Sequence, residues 1–214
     1  MADVDFFFDP VCPWAWITSR WVEEVASQRH LDVDWRFIAL RILNEDKDYE
    51  KDFSKGYVAA HGTGLKLLRV CAAVRAEEGP GPIGGLYTRF GTDLHVEDKG
   101  REIRAAWEQG FPDYLRSAGV AEKYLPAAND ETWDEVLRED TDDALSRVGK
   151  DVGTPILTFA GEDGTRQSFF GPVINWVPRG AEAVRLWDAM VTVASFPGLS
   201  ELKRSLRGAP QTAS

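Results

Sequence analysis

The order of hydrophobic patterns in this 214-residue chain predicts an α/β fold, a small sheet with a block of helices set into it. Three observations carry that prediction. Residues 4–38 read strand, helix, strand; residues 44–130 are helical in pattern; and residues 154–194 read strand, strand, helix. The chain is thus a βαβ…ββα core interrupted by helices.

Each element has its own warrant. Val4-Asp5-Phe6-Phe7-Phe8 is an apolar run of strand length. Over 13–29, Trp14, Ile17, Trp21, Val22 and Val25 recur at helical spacing, and Pro13 suits a first helical turn, where its missing N–H costs nothing. Leu31 to Ile38 alternates apolar and polar residues, the period of a strand, and the three together predict a right-handed parallel βαβ unit. Amphipathic helices are expected at 57–78, 83–95 and 101–118, with Pro112 kinking or ending the third. Asn129-Asp130-Glu131-Thr132 offers starting signals for a helix running to about Val148. Thr154 to Phe159 and Arg166 to Phe170 read as an antiparallel hairpin around the turn Gly161-Glu162-Asp163-Gly164. A closing helix over 178–194 carries Ala183, Leu186, Trp187, Met190 and Val193, and a short helix follows over 199–206. This order is that of the thioredoxin core with a helical insertion. Residues 1–43 and 131–207 form the thioredoxin-like core, 44–130 the helical insertion or lid, and 208–214 a flexible tail.

Bulk properties exclude several functions. With 25 basic and 35 acidic residues the chain carries −10, which argues against nucleic acid or an anionic membrane as main partner. No apolar stretch approaches the roughly 18 residues needed to span a bilayer. The acidic start, Met1-Ala2-Asp3-Val4-Asp5, does not read as a signal peptide. Two cysteines fit a reducing cytoplasm rather than a disulfide-stapled fold. The three histidines are scattered and make no metal-binding spacing, so no metal is expected.

The chemistry concentrates at Cys12, in Asp9-Pro10-Val11-Cys12-Pro13-Trp14-Ala15-Trp16. A cysteine between a strand and a helix sits at a helix N-terminus, where unpaired N–H groups and the helix dipole favour a thiolate. A C-x-x-C at this place reads as a thioredoxin-like redox motif, but Ala15 takes the second cysteine's position. Cys71 lies mid-helix among apolar neighbours and reads as core. In thioredoxin-like folds the proline before the third strand is cis and faces the active cysteine, which makes Thr154 and Pro155 candidates for holding a thiol compound. Phe169-Phe170-Gly171-Pro172-Val173 serves equally as strand end and turn or as a pocket wall. His61 and His95 read as helix residues, with an acid–base role beside Cys12 the lesser reading of each; His30 suits the end of the first helix.

Four blocks carry a resemblance: Phe8 to Trp16; Leu86-Tyr87-Thr88-Arg89-Phe90-Gly91-Thr92-Asp93-Leu94-His95; Gly153-Thr154-Pro155 with Phe169 to Val173; and Pro178-Arg179-Gly180 through Leu186-Trp187-Asp188. In these, across nearly its whole length, the chain resembles DsbA-like thioredoxin-fold proteins, and within them the actinobacterial mycothiol-dependent nitroreductase family. The resemblance implies a cytoplasmic enzyme using mycothiol as thiol cosubstrate, with a helical lid over the active cysteine. It implies Cys12 as the reactive group. It also implies a thiol-binding surface from Pro13, Trp14, Ala15, Thr154, Pro155, His95 and Phe170. Ala15 departs from the family's dithiol members, so a self-contained dithiol cycle is not expected. The leading expectation is a monothiol thiol-disulfide oxidoreductase that reacts through a Cys12 thiolate and a mixed disulfide with a small-molecule or protein disulfide. The alternatives are a transferase or isomerase of the kappa-class glutathione transferase type, in which Cys12 stabilises the cosubstrate's thiolate, and a non-catalytic thiol-binding module. Exposed insertion helices leave room for a homodimer.

Overall fold

Strands β1 (Val4–Phe8), β2 (Val33–Phe37), β3 (Ile156–Ala160) and β4 (Arg166–Phe170) form one sheet in the order β2-β1-β3-β4 in the computed structural model, which describes every residue except 1, 98, 161–163, 205, 207 and 214. β3 runs antiparallel to β1, with Phe6 opposite Leu157 and Phe7 opposite Ile156, and antiparallel to β4, with Leu157 opposite Phe169. Every residue of β1 is buried, the apolar ones as expected of a strand inside the sheet and Asp5 with two arginine partners. β2 buries only Trp35 and Phe37, the apolar positions of its alternation. The hairpin closes with Ala160 opposite Arg166; the expected turn at 161–163 lies outside the described residues.

By its contacts the chain falls into two units. The first comprises Met1–Phe8, Cys12–Arg36 and Leu145–Ser214. Its helices α1 (Pro13–Ala26) and α9 (Gly180–Ala194) meet through Trp21 and Trp187, ring centroids 5.4 Å apart and edge to face. The Trp21 indole N–H donates to the Ala183 carbonyl at 2.9 Å, and Trp187 lies 5.5 Å from the Phe159 ring. These tryptophans therefore fill the core. Asp5 is held by Arg147 and Arg166, each at 2.6 Å.

The second unit comprises Asp9–Val11 and Phe37–Ala144. It holds the short helices α2 (Leu40–Leu43) and α3 (Tyr49–Asp52), the long α4 (Tyr57–Glu78) and α5 (Ile83–His95), then α6 (Gly100–Ala105), α7 (Pro112–Ser117) and the larger part of α8 (Asp134–Val148). Arg69 on α4 makes a two-pronged ion pair with Asp134 at 2.6 and 2.7 Å, and Arg75 reaches Asp140 at 2.6 Å. Gly62 lets α4 pass close to Trp107, whose ring lies 2.3 Å from where a Cβ would stand. The helix expected over 101–118 is two helices with a 3₁₀ turn, Trp107–Gln109, between them. Pro112 opens the second of these, because Phe111 before it is turned to φ +41° and cannot continue a helix.

One expectation near the end of the first unit is corrected. Residues 199–204 and 206 form no helix: Leu202 and Leu206 are 81% and 88% exposed, so the segment has no face to bury. The stretch after Gly208 makes hydrogen bonds to the rest of the first unit. Gln211 donates its N–H to the Asn175 carbonyl at 2.7 Å, Asn175 donates its amide to the Ala209 carbonyl at 3.3 Å, and the Thr212 carbonyl accepts from Trp16 at 3.3 Å. No helix among the described residues is long and apolar enough to cross a membrane.

Candidate functional site

Cys12 is the N-cap of α1, with extended backbone (φ −80°, ψ 113°) and Pro13 as the first helical residue. Its side chain does what Ser or Asp does at such a position: Sγ accepts the Ala15 N–H at 3.5 Å, one of the helix's unpaired donors. The sequence supplies this geometry locally, since proline fixes the first turn and the residue before a proline favours extended backbone. The thiol donates to the Thr154 carbonyl at 3.4 Å, so a residue 142 positions away meets the same sulfur. Cys12 is 7% exposed and forms no disulfide.

The Thr154–Pro155 peptide bond is cis. Thr154 is buried, with its hydroxyl donating to the Phe7 carbonyl at 3.3 Å, and the Pro155 carbonyl accepts the Gly171 N–H at 2.8 Å. A second cis bond joins Gly171 to Pro172, whose carbonyl accepts the Thr18 hydroxyl at 2.9 Å. Gly171 takes φ +97°, a conformation that suits only glycine. Phe170 ends β4 with its ring against Gly153, the residue before Thr154. Cys12, Ala15, Thr154, Pro155 and Phe170 thus belong to one neighbourhood of the first unit. Pro13 and Trp14 form the first turn of α1 and are partly exposed.

His95 belongs to the second unit, where its Nε2 lies 2.8 Å from the Pro10 carbonyl. A carbonyl only accepts, so Nε2 carries the proton. Burial pushes the His95 pKa down to about 4, in keeping with a neutral ring. His61 is also buried and held down to about 4, by desolvation and then by Arg41; its Nδ1 lies 2.8 Å from the Tyr49 hydroxyl. Burial pushes the Cys71 thiol up to about 12, so that residue is inert core. No cluster of His, Cys, Asp or Glu that could hold a metal occurs among the described residues.

One residue of the motif has surroundings that periodicity could not reveal. Asp9 is completely buried, and its carboxyl is met by backbone N–H groups, Val11 at 3.0 Å and Leu40 at 2.8 Å. Desolvation outweighs both bonds and raises its pKa to about 7. The only hint in the sequence was an acid ending an apolar strand.

Fold and site together define a thioredoxin-like α/β protein with one cysteine capping its first helix. The comparisons agree. A family model described as Rv2466c-like, mycothiol-dependent nitroreductase Rv2466c, matches residues 11–204. The uncharacterized protein Rv2286c of Mycobacterium tuberculosis is 31% identical over 209 residues, covering 95% of this chain and 82% of the relative. Among solved structures, the cytosolic disulfide reductase DsbM from Pseudomonas aeruginosa superposes with a TM-score of 0.50 at 18% identity, over 87% of this chain and 98% of that one. The same reductase with GSH gives 0.49 at 18% identity over the same shares. The chain belongs to the Rv2466c-like family, a family of thiol-dependent redox enzymes.

Proposed function

We propose that this protein is a cytoplasmic monothiol oxidoreductase that uses mycothiol as cosubstrate and Cys12 as its nucleophile. The observation that carries this reading is the placement of Sγ between the Ala15 N–H and the Thr154 carbonyl. In the resting thiol the carbonyl receives the S–H; once the proton leaves, the Ala15 N–H and the α1 N-terminus stabilise the anion. The thiolate then attacks one sulfur of a small-molecule or protein disulfide. An S–S bond to Cys12 forms, the substrate's S–S bond breaks, and the departing half leaves as a thiolate. Ala15 offers no second sulfur to resolve the adduct, so an external thiol must attack it, regenerating the Cys12 thiolate and releasing a new disulfide. Mycothiol, when bound, supplies that second sulfur. Pro13, Trp14 and Ala15 line the cysteine's own turn, while Thr154, Pro155 and Phe170 offer backbone and ring surface to the thiol compound. Two free cysteines support a reducing compartment.

The test is intact mass after incubation with oxidised mycothiol, with peptide mapping of the adduct. One mycothiol on Cys12, removed by free thiol and absent from Cys12→Ser, is the expected result. Reversible mycothiol binding without an adduct, together with activity retained by Cys12→Ser, would replace this reading with the transferase or isomerase one, in which Cys12 only steadies the cosubstrate's sulfur.

A further inference from the structure

Residues 208–212 lie against α1 through contacts made wholly within the first unit. Asn175 grips them at two points. Its side-chain amide donates to the Ala209 carbonyl at 3.3 Å, and its own carbonyl accepts the Gln211 N–H at 2.7 Å. Gly208 passes close to the same amide, which lies 3.0 Å from where a Cβ would stand. One residue after Gln211, the Thr212 carbonyl accepts the Trp16 indole N–H at 3.3 Å. The segment offers only main-chain atoms to these three bonds, so what Asn175 and Trp16 recognise is a polypeptide backbone.

Both halves of this clamp belong to the cysteine's surroundings. Trp16 stands four residues after Cys12, a spacing that shares one helix face, and helical side chains lean back toward the N-terminus. Its indole is 3% exposed, with the Arg20 guanidinium 4.2 Å over the ring. Asn175 follows the second cis proline. There the Thr18 hydroxyl holds the Pro172 carbonyl at 2.9 Å, and the Gly171 N–H holds the Pro155 carbonyl at 2.8 Å. Pro155 follows Thr154, whose carbonyl accepts the Cys12 thiol. A chain lying in the clamp therefore runs along the first turn of the helix that Cys12 caps.

We propose that Asn175 and Trp16 form a docking clamp for the polypeptide of a protein disulfide, and that residues 208–212 occupy it until such a substrate displaces them. The proposal rests on the reading of Cys12 as the reactive thiol. The Cys12 thiolate attacks one sulfur of the docked disulfide: an S–S bond to Cys12 forms, the substrate's S–S bond breaks, and the other half leaves as a thiolate. The protein disulfide is itself the oxidant.

The test compares two disulfides by the rate at which Cys12 gains an adduct, followed by intact mass. One is dithiodiethanol, which has no polypeptide chain; the other is an oxidised heptapeptide of alanines around one cysteine, acetylated and amidated. Gln211→Pro removes the N–H given to Asn175, releasing the segment and leaving the clamp whole. The peptide disulfide should then react about fivefold faster than with wild type, the worth of one hydrogen bond, and dithiodiethanol at the wild-type rate. Asn175→Ala releases the segment but dismantles the clamp, and should bring no such gain. The proposal is overturned by a gain in both variants, which makes the segment a mere cover. It is overturned equally by a gain for both disulfides, which puts the effect on the thiol, or by no gain at all. If wild-type Cys12 takes up neither disulfide, the thiol reading itself has failed and the proposal falls with it. Gly208→Val crowds the Asn175 amide and releases the segment by another route, so it decides the matter should thermal unfolding show Gln211→Pro unfolded.

Discussion

Asp5 within β1 and Asp9 just after it lie four residues apart, both buried, and are treated in opposite ways. Asp5 is clamped by two guanidinium groups at 2.6 Å, with Arg147 also donating to the Thr158 hydroxyl at 2.9 Å. Asp9 is more deeply buried, is met by backbone N–H groups, and titrates near neutrality. The contrast separates two uses of a buried acid. One fastens secondary structure elements together within the first unit; the other draws the N–H groups of Val11 and Leu40 together within the second.

Changing pH should widen the contrast most. In the unfolded chain Asp9 loses its proton near pH 4, whereas in the folded protein it keeps it until about pH 7. Between those values the folded state binds the extra proton, so this residue's contribution to stability falls as pH rises and is fully lost above about pH 7. The stability of wild type relative to Asp9→Asn should drop by about 4 kcal/mol from pH 4 to pH 8 in urea titrations. A flat difference would mean that the carboxyl is hydrated and the comparison is broken. Asp5→Ala comes next. It takes away the carboxylate shared by two partly buried arginines, leaving Arg147 the Thr158 hydroxyl and Arg166 the Ala2 carbonyl, and should cost about 3 kcal/mol at neutral pH in urea titrations. A cost below about 1 kcal/mol would mean that Asp5 does not fasten these elements. The smallest effect is that of Thr158→Val, which removes one acceptor from Arg147 and should cost about 1 kcal/mol by thermal unfolding.

The sequence spoke clearly wherever a segment buries its own face. α4 and α5 run over the residues that their apolar spacing predicts, and β1 is buried along its length, as its four apolar residues lead one to expect. Cys12 was legible because its signal is local, a strand, a cysteine and a proline in succession. Asp9 was not, because the Leu40 N–H that it accepts is 31 residues away and periodicity records burial, not hydrogen-bond partners. The same holds for His95, whose partner is a backbone carbonyl 85 residues earlier. Pro112 was noticed but misjudged: it opens a helix, since the turn at Phe111 before it had already ended the preceding one.

The chain after Gly208 is held through main-chain atoms: the Gln211 N–H and the carbonyls of Ala209 and Thr212. Such a hold constrains the path and not the letters. Point substitutions here other than to proline should be nearly silent; deleting the segment removes the carbonyl that accepts from Trp16, a residue of the first turn of α1.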